Sequence, residues 1–469
     1  MRKNLTSRWV CAIIKSEVCG LHLSGRSGAE LKILIISHNC FSTHQSMGKT
    51  FLSLFSEFPK DEVCQLYIYP TVPDVDACSS YYRITDREAL RGLCPWARIG
   101  GELDKSRIVP TEHSLFENQN DRAFYRQKQN SSAARRLMRD AVWKMSHWFN
   151  SSLRAWLDRE KPTCIFLAPG YAKLIYDIAL QISRYCGIPI VAYICDDYYF
   201  VQKPAGLMGR IQLRALRKKM DRTLYAAKAL VTISCEAGER YGSYFGVPTT
   251  TVMTGASWEP RTVEAASAAE DERQDLRLGY FGNVGGNRYK SLAEIGRELD
   301  RINGETGRRH ELVIHTSDIP SEVEAELKTA HSIRVEGFIT GEAFREAFFG
   351  MDLLVHAESF DAEFADLVKD SVSTKIADSL ASGIPLVAYG PRGIASMEHL
   401  VRNDCAFTAT DSSQLGAMLR LALGDGEARC RVGQNAVKTA AKWHDSSQNS
   451  RLLRELLEKH QAQDGGARE

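Results

Sequence analysis

Short apolar runs alternate with longer amphipathic stretches along most of this chain. The segments "LKILIISH" (31–38), "PTCIFLAPG" (162–170) and "IPIVAYICDDYYF" (188–200) each indicate a buried strand that ends in polar residues. Stretches with helical spacing lie between such runs, as in "AKLIYDIALQISRYCG" (172–187). Strands that alternate with helices predict a parallel sheet covered by helices on both faces.

The alternation stops once and then restarts, which divides the chain into two units. Residues 256–275 are polar, rich in Ala and Glu, and lack strand character, so we interpret them as a linker. We therefore expect a first domain over 31–255 and a second domain over 276–430. The remaining segment, 431–469, contains an amphipathic helix that is expected to pack back, followed by a tail.

The first 30 residues are expected to form a disordered extension and not a signal peptide, because Lys15 and Glu17 interrupt their apolar run. No segment has the apolar length that a membrane-spanning helix needs. Lys plus Arg (60) nearly balance Asp plus Glu (58), which gives no overall charge in favour of nucleic acid. The 12 cysteines form no Cys-x-x-Cys pair and predict reduced thiols in a cytoplasmic protein.

A glycine-rich turn follows the first predicted strand of the second domain, in "GYFGNVGGNRYKS" (279–291). Gly282 and Gly285 would expose backbone N–H groups before a helix, where Arg288 and Lys290 add positive charge, so the turn suits an anion. The spacing is not G-x-G-x-x-G, which disfavours a plain dinucleotide site. The alternative interpretation is a turn with two solvated cations.

A second polar cluster lies in "DSVSTKIADSLASGIPLVAYGP" (370–391). On a helix, Thr374 and Asp378 share one face, and Asp370 lies eight residues before Asp378. Carboxylates there can accept vicinal hydroxyls, while Thr374, Lys375 and the helix N-terminus can bind phosphate. The alternative interpretation is a surface helix with a solvated polar face.

These two segments together resemble the donor site of retaining glycosyltransferases with the GT-B fold, most closely family 4. That family carries a Glu-x7-Glu element followed by a small-residue-Gly-x-Pro turn, and several members have a Thr-Lys pair in the same place. The segments "VEGFIT" and "ALVTISCEAGERYGSYFGVPTTTVMTG" are similar to other parts of the family pattern. The resemblance covers most of 31–460 and implies an α/β protein of two Rossmann-like domains that face a cleft.

The resemblance implies that the second domain holds a nucleotide-diphosphate sugar. Glycine backbone and two cations would bind the diphosphate, and Asp378 would bind the ribose in place of the usual Glu. Asn283 stands where many members have a phosphate-binding Arg, a role that passes to Arg288. The donor-binding residues implied are Gly282, Asn283, Gly285, Arg288, Thr374, Lys375 and Asp378.

The catalytic acid nearest the sugar stays open between several residues. Asp370 has the x7 spacing, but the preceding loop is long and also offers Glu358, Asp361 and Glu363. No metal or other cofactor is expected, because the resemblance implies that Arg288 and Lys375 stabilise the leaving diphosphate instead.

Candidate acceptor-side residues lie near strand ends of the first domain: His38 after the first strand, Gly48 in the next helix, and the pair Asp196 and Asp197. The two acids have an equally plain interpretation as a helix cap and a loop carboxylate. We do not interpret the pair as a metal-binding Asp-x-Asp.

Residues 203–228 carry eight positive charges against Asp221 alone. A stripe at helical spacing predicts an amphipathic helix that packs on the sheet and leaves its basic face in water. The stripe consists of Leu207, Ile211, Leu216, Met220 and Leu224. The alternative is a peripheral contact with anionic lipid, at the inner face of the membrane and near a lipid-linked acceptor.

The resemblance implies a metal-independent, retaining glycosyltransferase whose acceptor is a hydroxyl of a glycan or lipid-linked saccharide, in polysaccharide biosynthesis. Two alternatives remain. A nucleotide-sugar epimerase on the same fold would need acids and a His placed for proton abstraction. A non-catalytic scaffold subunit is favoured by the Asp-for-Glu and Asn-for-Arg departures.

Overall fold

A computed structural model of the chain describes residues 30–43, 45–110, 133–200, 206–263 and 275–462. Outside these ranges lie nearly all of the predicted N-terminal extension, most of the predicted linker, Lys203 of the basic segment and the end of the C-terminal tail. The described residues contain two separate sheets, one from each half of the chain.

The first sheet has eight strands in the order β4-β3-β2-β1-β5-β6-β7-β8. All neighbours pair in parallel except β3 and β4. Every residue of β1, β2, β5, β6 and β7 is buried, as expected for a parallel sheet covered on both faces. The strands are β1 Ile33–Ser37, β2 Val63–Tyr67, β3 Ser80–Arg83, β4 Gly101–Glu102, β5 Cys164–Ala168, β6 Ile190–Ile194, β7 Ala229–Thr232 and β8 Thr249–Thr251.

Helices connect these strands, and several begin at a residue whose side chain accepts a backbone hydrogen bond. Asn150 accepts from Leu153 N, and Ser234 accepts from Ala237 N, so each side chain satisfies an N–H group of a first turn. The helices are α1 Ser46–Leu54, α2 Asp86–Arg91, α3 Ala133–Met145, α4 Ser151–Glu160, α5 Lys173–Cys186, α6 Gly206–Leu224 and α7 Cys235–Phe245.

The second sheet has six parallel strands in the order β11-β10-β9-β12-β13-β14. Its strands are β9 Arg277–Phe281, β10 Glu311–His315, β11 Ile333–Glu336, β12 Leu353–Ala357, β13 Leu386–Tyr389 and β14 Phe407–Ala409. Its helices are α8 Arg288–Thr306, α9 Ser321–Leu327, α10 Gly341–Phe349, α11 Ala362–Leu367, α12 Thr374–Ser382, α13 Ala395–Arg402, α14 Ser412–Gly424 and α15 Gly426–Trp443.

The last helix, α16 (Ser446–His460), belongs to the core of the first domain. Leu453 and Leu457 are fully buried there, and Arg454 donates two hydrogen bonds to the carboxylate of Glu62, at 2.6 and 2.8 Å. The chain thus crosses between the domains twice. His444 joins the two crossings, because its backbone oxygen accepts from Ala256 N at 2.8 Å.

The apolar stripe predicted for the basic helix is only partly buried, which corrects that expectation. Leu216, Met220 and Leu224 are buried in α6, whereas Leu207 is 68% exposed and Ile211 is 46% exposed. The reason is helical geometry: nine residues separate Leu207 from Leu216, which places them on opposite sides of the helix. Within the described ranges, no helix is both long and apolar enough to cross a membrane.

Candidate functional site

Both sheets reverse their strand order once, and each reversal opens a crevice at the carboxyl ends of the strands. In the second sheet the reversal lies between β9 and β12, which pair only at Leu278–Leu353 and Gly279–Leu354. The glycine-rich turn follows β9, and Glu358 follows β12. Two sequence-predicted segments therefore meet at the place where open α/β sheets bind ligands.

The turn after β9 is shaped by its glycines and by local hydrogen bonds. Gly282 has φ +143°, a conformation that residues with a side chain rarely adopt. Tyr280 donates its hydroxyl to the backbone oxygen of Asn283 at 2.7 Å, and the Asn283 side chain accepts from Gly285 N. The turn ends at Asn287, and Arg288 begins α8.

Lys375, in the first turn of α12, reaches over this turn. A Cβ added to Gly282 would lie 2.2 Å from Lys375 Nζ, so the glycine leaves the space that the ammonium occupies. Nζ also stands 4.9 Å from the centre of the Tyr280 ring. Lys375 as a whole is exposed to solvent, although protein atoms surround its ammonium group. Desolvation, followed by the charge of Arg288, lowers the pKa of Lys375 to about 8.

Arg288 is held by a buried carboxylate. Its Nε donates to Glu358 Oε2 at 2.9 Å, and His356 Nε2 lies 3.3 Å from Oε1 of the same side chain. Burial acts to raise the pKa of Glu358, but contact with His356 and Arg288 outweighs burial and lowers it to about 2. We call Tyr280, Arg288, His356, Glu358 and Lys375 the glycine-loop cluster. It sets two cations against one carboxylate.

The other donor-side candidates lie at the edges of this cluster. Asp378 Oδ1 accepts from Ser257 N at 2.7 Å, beside the crossing between the domains, and burial raises the pKa of Asp378. Thr374 is the first residue of α12 and is half-buried. Asp361 accepts from Asn287 Nδ2 at 2.6 Å and pairs with Lys290 at 2.9 Å, so it closes the far side of the turn.

Asp370 does not join the glycine-loop cluster in this structure. It is 1% exposed and faces the first domain, where Arg240 Nη1 lies 2.9 Å from its Oδ2. The same Arg240 atom is 3.4 Å from Asp197 Oδ2, and Ser371 donates a hydrogen bond to Asp196. We call Asp196, Asp197, Arg240, Asp370 and Ser371 the junction cluster. It sets three carboxylates against one guanidinium and binds the loop before α12 to the first domain.

Within the junction cluster each acid has a different environment. Asp197 Oδ1 accepts from Tyr241 Oη and from two backbone N–H groups, which is the bonding of a loop carboxylate. Burial raises the pKa of Asp196. Burial, only partly offset by Arg240, raises the pKa of Asp370 to about 6.

The remaining first-domain candidates flank the strand-order reversal between β1 and β5. His38 directly follows β1, and its ring centre lies 5.4 Å from that of Tyr69. Gly48 lies in α1, where an added Cβ would stand 2.5 Å from Ser42 N, so close packing of the helix on the preceding loop requires glycine. Tyr171, 49% exposed, lies in the loop after β5.

Sequence reasoning missed four residues that the structure brings to these clusters: Tyr280, His356, Arg240 and Ser371, the last of which follows Asp370 directly. Tyr280 and His356 lie on β9 and β12, and His356 stands two positions before Glu358, a spacing that places alternate side chains on one face of a strand. That spacing could have predicted from the sequence that His356 lies beside Glu358. Arg240 lies mid-helix in α7 and carries no local signal. In the part of the chain that the structure describes, no group of three His, Cys, Asp or Glu residues could hold a metal ion.

The chain was compared with known proteins both by sequence and by structure, and only the structures match. No protein-family model matches the chain, and no curated protein matches it in sequence. Solved structures do match. Anabaena HepE in complex with UDP is 12% identical, with a TM-score of 0.57, over 92% of this chain and 100% of that chain.

Two further matches are of the same kind. Sucrose-phosphate synthase from Thermosynechococcus elongatus is 10% identical, with a TM-score of 0.57, over 92% of this chain and 99% of that one. A UDP-forming trehalose-phosphate synthase from Burkholderia xenovorans, in complex with glucose-6-phosphate, is 11% identical, with a TM-score of 0.56, over 91% of this chain and 100% of that one. The predicted GT-B fold of two parallel-sheet domains is thereby confirmed.

Proposed function

We propose that this chain is a glycosyltransferase that binds a nucleotide-diphosphate sugar in the second domain and transfers the sugar to an acceptor hydroxyl. The observation that carries the proposal is the position of Lys375 and Arg288 beside Gly282, at the strand-order reversal of a GT-B sheet. Matched structures that hold UDP, or belong to UDP-forming enzymes, support a diphosphate ligand of this kind.

The charge of the glycine-loop cluster suits a diphosphate. Glu358 neutralises one of the two cations and leaves an excess of positive charge, which a diphosphate group would balance. Because Gly282 has no side chain, the diphosphate can approach the backbone closely there. A side chain at this position would also collide with Lys375 and displace its ammonium. Asp378 still has acceptor capacity for a ribose hydroxyl beside its bond from Ser257, because an ionised carboxylate offers about four lone-pair sites.

In the proposed reaction, the bond between the anomeric carbon and the diphosphate oxygen breaks, the acceptor hydroxyl oxygen bonds to the anomeric carbon, and the hydroxyl proton passes to the leaving diphosphate, on which negative charge develops. Arg288 would stabilise that charge without reorganising, because Glu358 already holds it in place, and Lys375 would add its charge from its position beside Gly282 and over the Tyr280 ring. We propose metal independence on the same ground, since two cations at the phosphate position would repel a divalent ion.

The acceptor side of the proposal rests on the first domain. We propose a hydroxyl of a glycan or of a lipid-linked saccharide, in polysaccharide biosynthesis, entering over the ends of β1 and β5. His38, Tyr69 and Tyr171 give that edge an aromatic lining, and sugar-sized ligands use such walls with a few polar groups. Retention at the anomeric carbon is proposed from the family resemblance and is tested by the stereochemistry of the product.

The test of donor binding is calorimetric titration with UDP, GDP and ADP, with and without EDTA. One nucleotide should bind in both conditions, and Lys375→Met should weaken it by about 10- to 100-fold, the range for a hydrogen bond to a charged group. Gly282→Ala should weaken it similarly by displacing Lys375, whereas Gly304→Ala, with no neighbour within 4 Å, should not. If no nucleotide binds, or if Lys375→Met binds as well as the native chain, the proposal is wrong.

A second candidate is a scaffold subunit that binds a nucleotide without transfer. The observation in its favour is that three of the four candidate acids are paired with a cation: Asp370 with Arg240, Glu358 with Arg288, and Asp361 with Lys290. Incubation with the bound nucleotide's sugars separates the possibilities. Release of the nucleoside diphosphate indicates transfer or hydrolysis, an isomerised donor indicates an epimerase, and an unchanged donor with intact binding favours the scaffold.

A further inference from the structure

The first half of α6 exposes large apolar side chains. Leu207, Met208 and Ile211 are 68%, 49% and 46% exposed, whereas Leu216 and Met220, further along the same helix, are buried. Water contact with three neighbouring large apolar side chains is unfavourable, and such a group at the surface commonly marks an interaction site.

The exposed apolar residues share a face with exposed cations. Leu207, Ile211, Arg214 and Lys218 follow one another at spacings of four, three and four residues, which keeps them on one side of a helix. All four are exposed, and Arg210 lies one turn before Arg214. We call Leu207, Met208, Arg210, Ile211, Arg214 and Lys218 the outer face of α6.

No acidic residue of the helix offsets this charge near the outer face. Residues 206–220 contain five cations and no Asp or Glu. Two of the five bind the protein itself, since Arg217 donates to Tyr199 O at 2.9 Å and Lys219 donates to Asp177. The other three belong to the outer face.

The neighbouring helix α3 also carries exposed cationic and apolar side chains. Arg136 Nε donates to Gln212 Oε1 at 3.0 Å and so fixes α3 beside α6. Arg135 is exposed, and Met138 is 64% exposed, which repeats the pairing of apolar and cationic side chains.

From these observations we propose that the outer face of α6 binds the surface of an anionic lipid bilayer, with the helix lying in the plane of the interface. The cations would contact lipid phosphates, and Leu207, Met208 and Ile211 would enter the boundary between headgroups and acyl chains. A nucleic acid would match the cations but offers the three apolar side chains no apolar environment. The inference does not depend on donor binding in the cleft.

The test is co-sedimentation of the full chain with vesicles of phosphatidylcholine, alone or mixed in equal parts with phosphatidylglycerol. The protein should bind the anionic vesicles and should bind them less as salt rises. Each cation near an anionic surface contributes ~1 kcal/mol to binding, and each 1.4 kcal/mol corresponds to about tenfold in affinity. Arg210→Gln combined with Arg214→Gln should therefore weaken vesicle binding about 30-fold. Leu207→Ser combined with Ile211→Ser should weaken it at least about tenfold, through lost apolar contact.

The matched control is Arg431→Gln combined with Lys438→Gln, which removes two exposed cations from α15 and should leave vesicle binding unchanged. Retained calorimetric UDP binding or unchanged circular dichroism shows that each variant is folded. Equal binding by all three double variants, or no preference for anionic vesicles, overturns the proposal. Loss with the cation variant but not with the Leu207 and Ile211 variant also overturns it, because the contact would then be electrostatic alone, as with a nucleic acid.

Discussion

The glycine-loop cluster and the junction cluster are built alike and differ in charge. Both lie where parallel strands end, both contain a carboxylate that is almost fully buried (Glu358 and Asp370), and both place that carboxylate within about 3 Å of a guanidinium group. One has two cations and a single acid, and the other has three acids and a single cation. Position at a strand end therefore does not determine the role of a charged residue, whereas the local balance of charge does.

The balance appears directly in the pKa values. An acid whose positive neighbours are in excess is held ionised, and the pKa of Glu358 falls to about 2. Asp370 is buried and shares the guanidinium of Arg240 with Asp197, so the positive charge near it is too small to offset its burial. The pKa of Asp370 therefore rises to about 6. The first cluster is suited to take up an anion, and the second holds two domains together.

Removal of Glu358 should have the largest effect on stability. In Glu358→Ala, Arg288 keeps its partly buried position without its carboxylate partner, which should cost about 3–5 kcal/mol in the free energy of unfolding. Urea denaturation at neutral pH measures the change. The control is Asp361→Ala, whose pair with Lys290 is exposed and should be worth less than about 1 kcal/mol. Similar losses in the two variants would contradict the comparison.

The two clusters should also respond to pH with opposite sign. The pKa of Asp370 is raised from 3.8 to about 6, so its contribution to stability is present below pH 3.8 and is lost as the pH rises through about 6. Asp370→Asn removes that loss, and its stability relative to the native chain should rise by up to about 3 kcal/mol between pH 4 and pH 7. Paired urea denaturations at each pH measure this difference.

For Glu358 the sign is reversed. Its pKa is lowered from 4.5 to about 2, so its contribution to stability is present above pH 4.5 and is lost as the pH falls towards 2.

One outcome of the Asp370→Asn experiment would contradict the contrast between the clusters. If the variant lost stability relative to the native chain as the pH rose, the charge of Asp370 would be fully balanced by its neighbours, and the two clusters would not differ in sign.

Nucleotide affinity should depend on the titration of Lys375. Because the pKa of Lys375 is lowered to about 8, its ammonium is lost within reach of ordinary buffers. Affinity for the nucleotide should fall by about tenfold, or ~1.4 kcal/mol, between pH 7.5 and pH 9.5, as measured by calorimetry. Lys375→Arg keeps its charge over this range and should show a flat profile. A native profile as flat as that of the variant would place the binding charge elsewhere.

The smallest effect is expected at an ion pair that also joins the domains but is open to water. Arg402, 56% exposed, pairs with Glu236, and Arg402→Gln should change the free energy of unfolding by less than about 1 kcal/mol. Urea denaturation in low and high salt measures this. A larger loss would show that contact between the domains, and not burial of charge, determines the stability of the junction.

Local patterns were enough for the architecture. The apolar runs, the helical spacings and the restart after the linker predicted two parallel-sheet domains, and the fold is confirmed. Local patterns marked the glycine-rich turn and the helix start at Lys375 as two separate sites for an anion, and it was the resemblance to retaining GT-B glycosyltransferases that implied that Gly282, Arg288 and Lys375 act together. The division into strands, helices and a linker needs only the residues within a few positions of each motif, whereas the grouping of the three donor-side residues did not follow from local residues.

Partners across the fold could not be predicted in this way. The sequence does not indicate that Arg240 of the first domain faces Asp370 of the second, or that Leu207 and Ile211 turn outward while Leu216 turns inward. Periodicity shows which residues share a face, and the packing of one element on another decides which face is covered. Charge balance is likewise a sum over neighbours from distant parts of the chain, so only the tertiary structure separated a cluster suited to an anion from one that joins two domains.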